Sequence, residues 1–286
     1  MKKLNLIIEE HRHGLSRYPA MVAQELEFLD EDLASESLVG LDNVSDSLGI
    51  LATCHGVQGE VAIMDGDITG WEGVARSVMY RYWALRLRAR SFSNTRFLQG
   101  VQTVPNLTNH LSRAACVLAA FIAADRRDLA SSTADVLAGM LSVQGAVDAS
   151  YLKGRCFEPF MLWLYRVYSH GEAVAPIESL GIYQKVIDNW GDELQLAEVL
   201  KEIGHYHLAN SEDDGGARYP EFKNPPFDLL VLEVAAIYRV RQQSGVPLPP
   251  ATDPLLAVAT AALDKLVFCP DALVVRVEAA YRSFFE

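Results

Sequence analysis

The feature that most restricts this chain is the spacing of its apolar residues, which recurs at helical intervals over most of its length. Met21, Val22, Leu26, Leu29 and Leu33 form one stripe, with acids between them. Trp71, Val74, Val78, Tyr82 and Leu85 form another, on a helix expected from about Gly70 to Arg90 and capped by Asp67-Ile68-Thr69. Val44 to Met64 is weakly amphipathic and interrupted by Gly49, Gly56 and Gly59. Asn106 to Ala124 and Asp128 to Leu141 read as a helix pair around Asp125-Arg126-Arg127. Cys156 to His170 is rich in aromatic residues and stops at Gly171. Pro176 to Trp190 with Glu193 to His207, then Pro254 to Val267 and Asp271 to Phe285, complete the helical signals. Strand signals are poor, because the flanks of Asp65-Gly66 and Asp214-Gly215 do not alternate as hairpin strands do. The expectation is an all-α fold: about ten helices stacked as antiparallel pairs, with no substantial sheet. It is read as one domain over residues 1–286, with a soft subdivision near 142–154.

One element carries a charge in an unexpected place. Asn224 followed by Pro225 reads as an N-cap with proline at the first helical position. Gly245, Pro247, Pro249 and Pro250 read as a stop. Between them Phe227 to Ile237 is apolar almost all round, as in a buried helix. Asp228 suits a first turn. Glu233 falls in the middle, with no lysine or arginine three or four residues away. A lone buried carboxylate costs several kcal/mol, so Glu233 is read as a structural buried charge meeting an arginine of another helix.

Charge is distributed unevenly. The net charge is −12. From Tyr18 to Ala75 there are twelve acids and no lysine or arginine, and from Arg76 to Ala124 seven arginines, no lysine and no acid. Internal pairing of the two blocks would still leave five acids over. Glu25, Glu27, Asp30, Glu31, Asp32 and Glu36 cluster on the Met21 helix, whose apolar stripe is expected to face the core and whose acids are expected to face water. These six, with Glu212, Asp213 and Asp214 in the loop from Leu208 to Asn224, are the candidate surface for a basic partner. An acidic chain does not suit direct nucleic-acid binding, which needs a basic footprint.

Catalytic and metal signatures are weak. The chain has no G-x-S-x-G elbow, Walker A loop, G-x-G-x-x-G or H-E-x-x-H. His11/His13 and His205/His207 are spaced i, i+2, which does not place both on one face of a helix. The second pair falls at a helix end, where histidine caps carbonyls. Cys54, Cys116, Cys156 and Cys269 are scattered, and read as reduced thiols, three of them in apolar stretches. No metal or other cofactor is expected. No stretch approaches the ~18 apolar residues of a membrane helix, and Leu4 to Ile8 is too short for a signal h-region. A cytoplasmic protein is expected.

Three stretches together resemble the immunity protein 49 family, helical antitoxins encoded beside bacterial polymorphic toxins. They are PPFDLLVLEVAAIYRVRQQSGVPLP with DPLL at Asp253 to Leu256, VIDNWGDELQLAEVLKEIGHYHLANSEDD from Val186, and DGDITGWEGV from Asp65. FMLWLYRVYSHGE, from Phe160, is a supporting match. The resemblance implies neutralisation of a cognate, possibly basic, toxin domain by direct binding in the producing cell, with no enzymatic activity. It places Trp190, His207 and Glu233 in recurring packing positions and carries no catalytic residue across. Two other readings stand beside it: a helical adaptor or regulator binding a peptide or protein on an aromatic-lined face, and an enzyme whose pocket gathers Glu233 with His205 or His207.

Overall fold

A computed structural model describes residues 2–93, 107–143, 147, 154–171, 180–211, 220–251 and 253–286, with the backbone alone for 91–93. The described residues form α-helices and short 3-10 turns, with no strand among them. None of the described helices is long and apolar enough to cross a membrane. The chain divides into two compact units, Met1–Pro105 with Val267–Glu286, and Asn106–Leu266. The stretch near 142–154 therefore falls inside the second unit, and part of it lies outside the described residues.

The first unit contains α1 (Lys2–Gly14), α2 (Tyr18–Ala34), α3 (Leu38–Met64), α4 (Gly70–Ser93) and, from the far end of the chain, α12 (Ala272–Phe285). Local chemistry starts α4 and α12 close to where the sequence suggests, whereas α3 begins at Leu38, ahead of the expected Val44. Ser37 caps α3 by accepting from Gly40 N at 2.9 Å, and Asp271 caps α12 by accepting from Val274 N at 2.9 Å. Asp67 takes both the N–H and the hydroxyl of Thr69 in the turn before α4. α3 and α4 run antiparallel along a seam of small residues. Ser77 Oγ donates to the Ala52 carbonyl at 2.5 Å, and Ser45 Oγ to the Ala84 carbonyl at 3.2 Å.

The glycines that seemed to interrupt α3 do not break it. Gly59 permits the closest approach of the pair. A Cβ there would lie 2.6 Å from the Gly70 carbonyl oxygen and 2.8 Å from Val74 N, both backbone atoms. Gly49 meets nothing within 4 Å. The two therefore respond oppositely to alanine. Gly49→Ala should stabilise by up to about 1 kcal/mol through helix propensity. Gly59→Ala should lose about 1–3 kcal/mol, because the two helices must separate. Urea unfolding of both variants checks this, and equal shifts would remove the seam as an explanation.

The second unit holds α5 (Thr108–Ala123), α6 (Arg127–Ser142), α7 (Phe157–His170), the short α8 (Gln184–Asp188), α9 (Glu193–Ala209), α10 (Leu232–Gln243) and α11 (Pro254–Lys265). Its core is α5 against α10, with α6 and α7 on α5 and α11 on α10. Residues 114–123 of α5 are all buried, as are residues 232–238 of α10. Arg239 ties three helix ends together. Its Nε donates to the Ala123 carbonyl at 2.8 Å and its Nη2 to the Leu263 carbonyl at 2.6 Å. The expected helix from Pro176 to Trp190 is described only from residue 180, as a 3-10 turn (Gly181–Tyr183) running into α8.

The element around Glu233 departs from expectation. The helix begins at Leu232, not at Pro225, and residues 225–231 are a buried turn entered through a cis Pro225-Pro226 bond. Consecutive prolines explain the late start. A proline disfavours the α conformation in the residue before it, so Pro225 is steered away from the helical position that a single proline would occupy. Glu233 consequently sits in the first turn of α10. The stop is as expected: Gly245 has φ +65°, with Gly245 N bonded to the Gln242 carbonyl and Val246 N to the Arg241 carbonyl.

Candidate functional site

Two places answer to the residues singled out above, one in each unit. The first is the outer face of α2. This helix rests on α3 and contributes only Leu29 to the buried core. The expected core-facing stripe is therefore corrected: Val22 and Leu33 are half-buried, while Met21 and Leu26 are 39% and 40% exposed. A helix packed mainly on one neighbour can bury only a narrow strip of its circumference, and Leu29 is the residue of α2 that is fully buried there.

The acids of α2 and its C-terminal turn are distributed accordingly. Glu27, Asp30, Glu31 and Glu36 are exposed, whereas Glu25 and Asp32 are half-buried. Asp30 meets Arg276 at 2.7 Å, and Asp32 accepts from Asn43 Nδ2 at 3.0 Å. Among the described residues Glu25, Glu27, Glu31 and Glu36 form no ion pair. Among the described residues the arginine block does not reach them. Arg76 pairs with Asp271, Arg86 with Glu286, and Arg88 with Asp42 and Asp46.

Beside α2 runs a groove lined by Phe28, Glu31 and Asp32 from α2 and by Asn43, Asp46 and Ser47 from α3. Each wall is an i, i+3, i+4 triplet, which is one face of a helix. Sequence reading missed Phe28, Asn43 and Ser47. The repeated spacing was visible, but nothing in the sequence sets the two triplets opposite each other.

The second place is buried in the other unit. Glu233 is 2% exposed and its partner is a histidine, not an arginine: His207 Nδ1 lies 2.8 Å from Glu233 Oε1. A proton must lie between those atoms. His207 does not cap its helix. Its side chain is 0% exposed, stacked on Phe222 with ring centroids 4.0 Å apart. His205, two residues earlier, is exposed and turned away. Close by, Arg155 meets Glu158 at 2.7 Å and Glu221 at 3.6 Å, and Tyr206 donates to Glu221 at 2.8 Å. Burial, followed by the charges of Glu233 and Glu221, raises the Tyr183 phenol well above its ordinary pKa, so it stays protonated.

Chemically this cluster holds the orienting half of a general-base arrangement, a carboxylate on histidine Nδ1. Nε2 of His207 is enclosed without a hydrogen-bond partner among the described residues. The base is therefore sealed inside the core. The Cys54 and Cys156 thiols are not activated either. Burial and then Glu25 push the Cys54 thiol up, and burial and then Glu221 push up that of Cys156. Cys54, Cys116 and Cys156 are buried and Cys269 is exposed. The His11/His13 pair also diverges. His11 Nε2 stands 3.6 Å from the buried Glu60, while His13 Nδ1 lies 2.6 Å from the Glu9 carbonyl. Glu212, Asp213 and Asp214 lie outside the described residues.

Comparison of the chain with family models, with curated proteins and with solved structures finds no match.

Proposed function

We propose that this chain is an immunity protein that neutralises a cognate, basic toxin domain by binding it in the cytoplasm of the producing cell, without turnover or cofactor. The observation that carries the reading is the exposed face of α2. Five of the six acids of α2 and its C-terminal turn have no ion pair among the described residues, although arginines of the same unit pair with acids elsewhere. Exposed Met21, Leu26 and Phe28 share that helix. Apolar area beside unpaired acid suits a basic protein surface better than it suits solvent alone.

Most of the residues that would favour the other readings are buried, and His205, which is exposed, is turned away from Glu233. Of the aromatic residues on α7, Phe157, Phe160, Trp163 and Tyr168 belong to the core of the second unit, and Tyr165 is half-buried. Glu233 and His207 hold each other inside that core. Trp190, His207 and Glu233, which the family resemblance marks as packing positions, all make internal contacts of the second unit.

The test begins with the neighbouring open reading frame. Expressing its product should arrest growth, and co-expressing this chain should restore it through a purifiable complex. Absence of both rescue and complex would discard the reading. Within such a complex, the double reversal Glu27→Lys/Glu36→Lys should slow association and flatten its dependence on salt, because unpaired exposed charge steers encounter. The variant should melt nearly unchanged, at about 0.5 kcal/mol or less per site. An unchanged association rate and salt slope would move the interface off α2.

A further inference from the structure

We infer that the groove between α2 and α3 seats an arginine side chain of the partner protein. This deepens the immunity reading and rests on it for the partner being a basic protein.

The groove has a consistent chemistry. Its polar lining is Glu31, Asp32, Asn43, Asp46 and Ser47. Carboxylates only accept hydrogen bonds, and the Asn43 amide has already committed a donor to Asp32. A ligand that brings donors and no acceptors fits such a lining. Two of the three carboxylates keep their charge uncompensated: Glu31 forms no ion pair among the described residues, and Asp32 has only the neutral Asn43 amide. Asp46 is shared with Arg88 at 2.5 Å.

A second observation lies in the groove wall. Ser47 is only 6% exposed, yet it lines the groove, and its hydroxyl makes no hydrogen bond among the described residues. The Ser47 hydroxyl is not enclosed: it opens into the groove, where it is free to accept from a donor seated there.

The shape of the lining decides between cations. A metal ion requires ligand atoms drawn close together. Among the described residues the groove carboxylates form no set with oxygens within 4.8 Å of one another. Charge spread along two helix faces suits a guanidinium, whose five N–H groups point outward in a plane. Phe28, 44% exposed at the edge, offers a ring for that plane to lie against. The same α3 surface already binds one guanidinium in this way. Arg88 reaches Asp42 at 2.7 Å with Nη1 and Asp46 at 2.5 Å with Nη2, one helical turn apart. A lysine would bring one compact ammonium, able to meet one wall at a time.

The test uses the full chain and three short probes: acetyl-Gly-Arg-Gly-amide and its lysine and citrulline counterparts. Two-dimensional amide NMR follows the resonances of residues 28–32 and 43–47. The arginine peptide should shift them saturably, the lysine peptide should bind several-fold more weakly, and the neutral citrulline peptide should not bind. Phe28→Ala should weaken the arginine peptide about two- to fivefold. Ser47→Ala should weaken it about two- to tenfold. Both substitutions suit a helix, and a thermal melt confirms that each variant is folded. Absence of a saturable shift from the arginine peptide overturns the inference. Equal binding of arginine and lysine peptides, indifferent to both substitutions, also overturns it and leaves only a diffuse acidic surface. Growth rescue without peptide binding would keep the immunity reading and remove the groove. Peptide binding without rescue would keep the groove's selectivity and remove the toxin as its partner.

Discussion

His207→Ala is expected to lower the unfolding free energy by about 3–5 kcal/mol, the loss that follows when the partner of a buried carboxyl group is removed. Glu233 is 2% exposed and bonded to His207 at 2.8 Å. Without the imidazole its carboxylate would be enclosed with no compensating donor on that oxygen. Glu233→Ala should cost a similar amount, since His207 already has one enclosed nitrogen without a partner and would gain a second. Glu233→Gln keeps an acceptor for Nδ1–H and should cost only about 1 kcal/mol. The double replacement His207→Leu/Glu233→Leu removes both polar groups at once and should recover most of the loss. Urea unfolding of the four variants gives the coupling energy directly. Single variants that lose less than about 1 kcal/mol would show that the pair is not a structural element. Attention would then return to a role for His207 in chemistry.

The helices were legible because their signals are local. Asp253 and Asp271 cap by reaching two or three residues ahead, Asp67 closes the turn before α4 through Thr69, and Gly171 and Gly245 end helices by their own backbone conformation. What the sequence withheld depends on neighbours in space. The partner of Glu233 lies 26 residues away. It falls on another helix, at a residue whose i, i+2 spacing with His205 suggested a different role. The late start of α10 was readable in principle, since Pro225-Pro226 allows only one of the two prolines an easy helical position. Gly59 looked like an interruption because a sequence does not show that Gly70 and Val74 are pressed against it.

The acidic face was half legible. Its composition was plain, but the stripe Met21, Val22, Leu26, Leu29 and Leu33 was assigned to a core that reaches only Leu29. An apolar stripe states that a surface avoids water; it does not state whether the chain itself or a partner covers it. On α2 that ambiguity becomes the functional observation.

The second large effect is expected at Arg241, a guanidinium that is 0% exposed and has no ion pair among the described residues. Its bonds go to backbone. Nε and Nη2 both donate to the Pro247 carbonyl, at 3.1 and 2.6 Å, and Nη1 donates to the Trp190 carbonyl. The group also lies 5.5 Å from the centre of the Trp190 ring. Burial lowers its pKa, and Glu193 partly offsets that. One side chain thus joins the end of α10, the proline-rich segment after it and the turn before α9. Hydrogen bonds to a charged group contribute about 1.5–3 kcal/mol each and do not simply add. Arg241→Met, which keeps the apolar stem and removes every donor, should therefore lose on the order of 4 kcal/mol. Arg241→Lys separates charge from geometry. Its ammonium keeps the charge, but a point donor cannot hold two carbonyls set apart as the planar fork does. It should lose nearly as much as the methionine variant. Limited proteolysis should then open the segment 244–250 in both variants while the intact protein resists. If Arg241→Lys instead unfolds within about 0.5 kcal/mol of the original and resists the protease, buried charge alone holds this corner, and the bridging role of the fork is wrong.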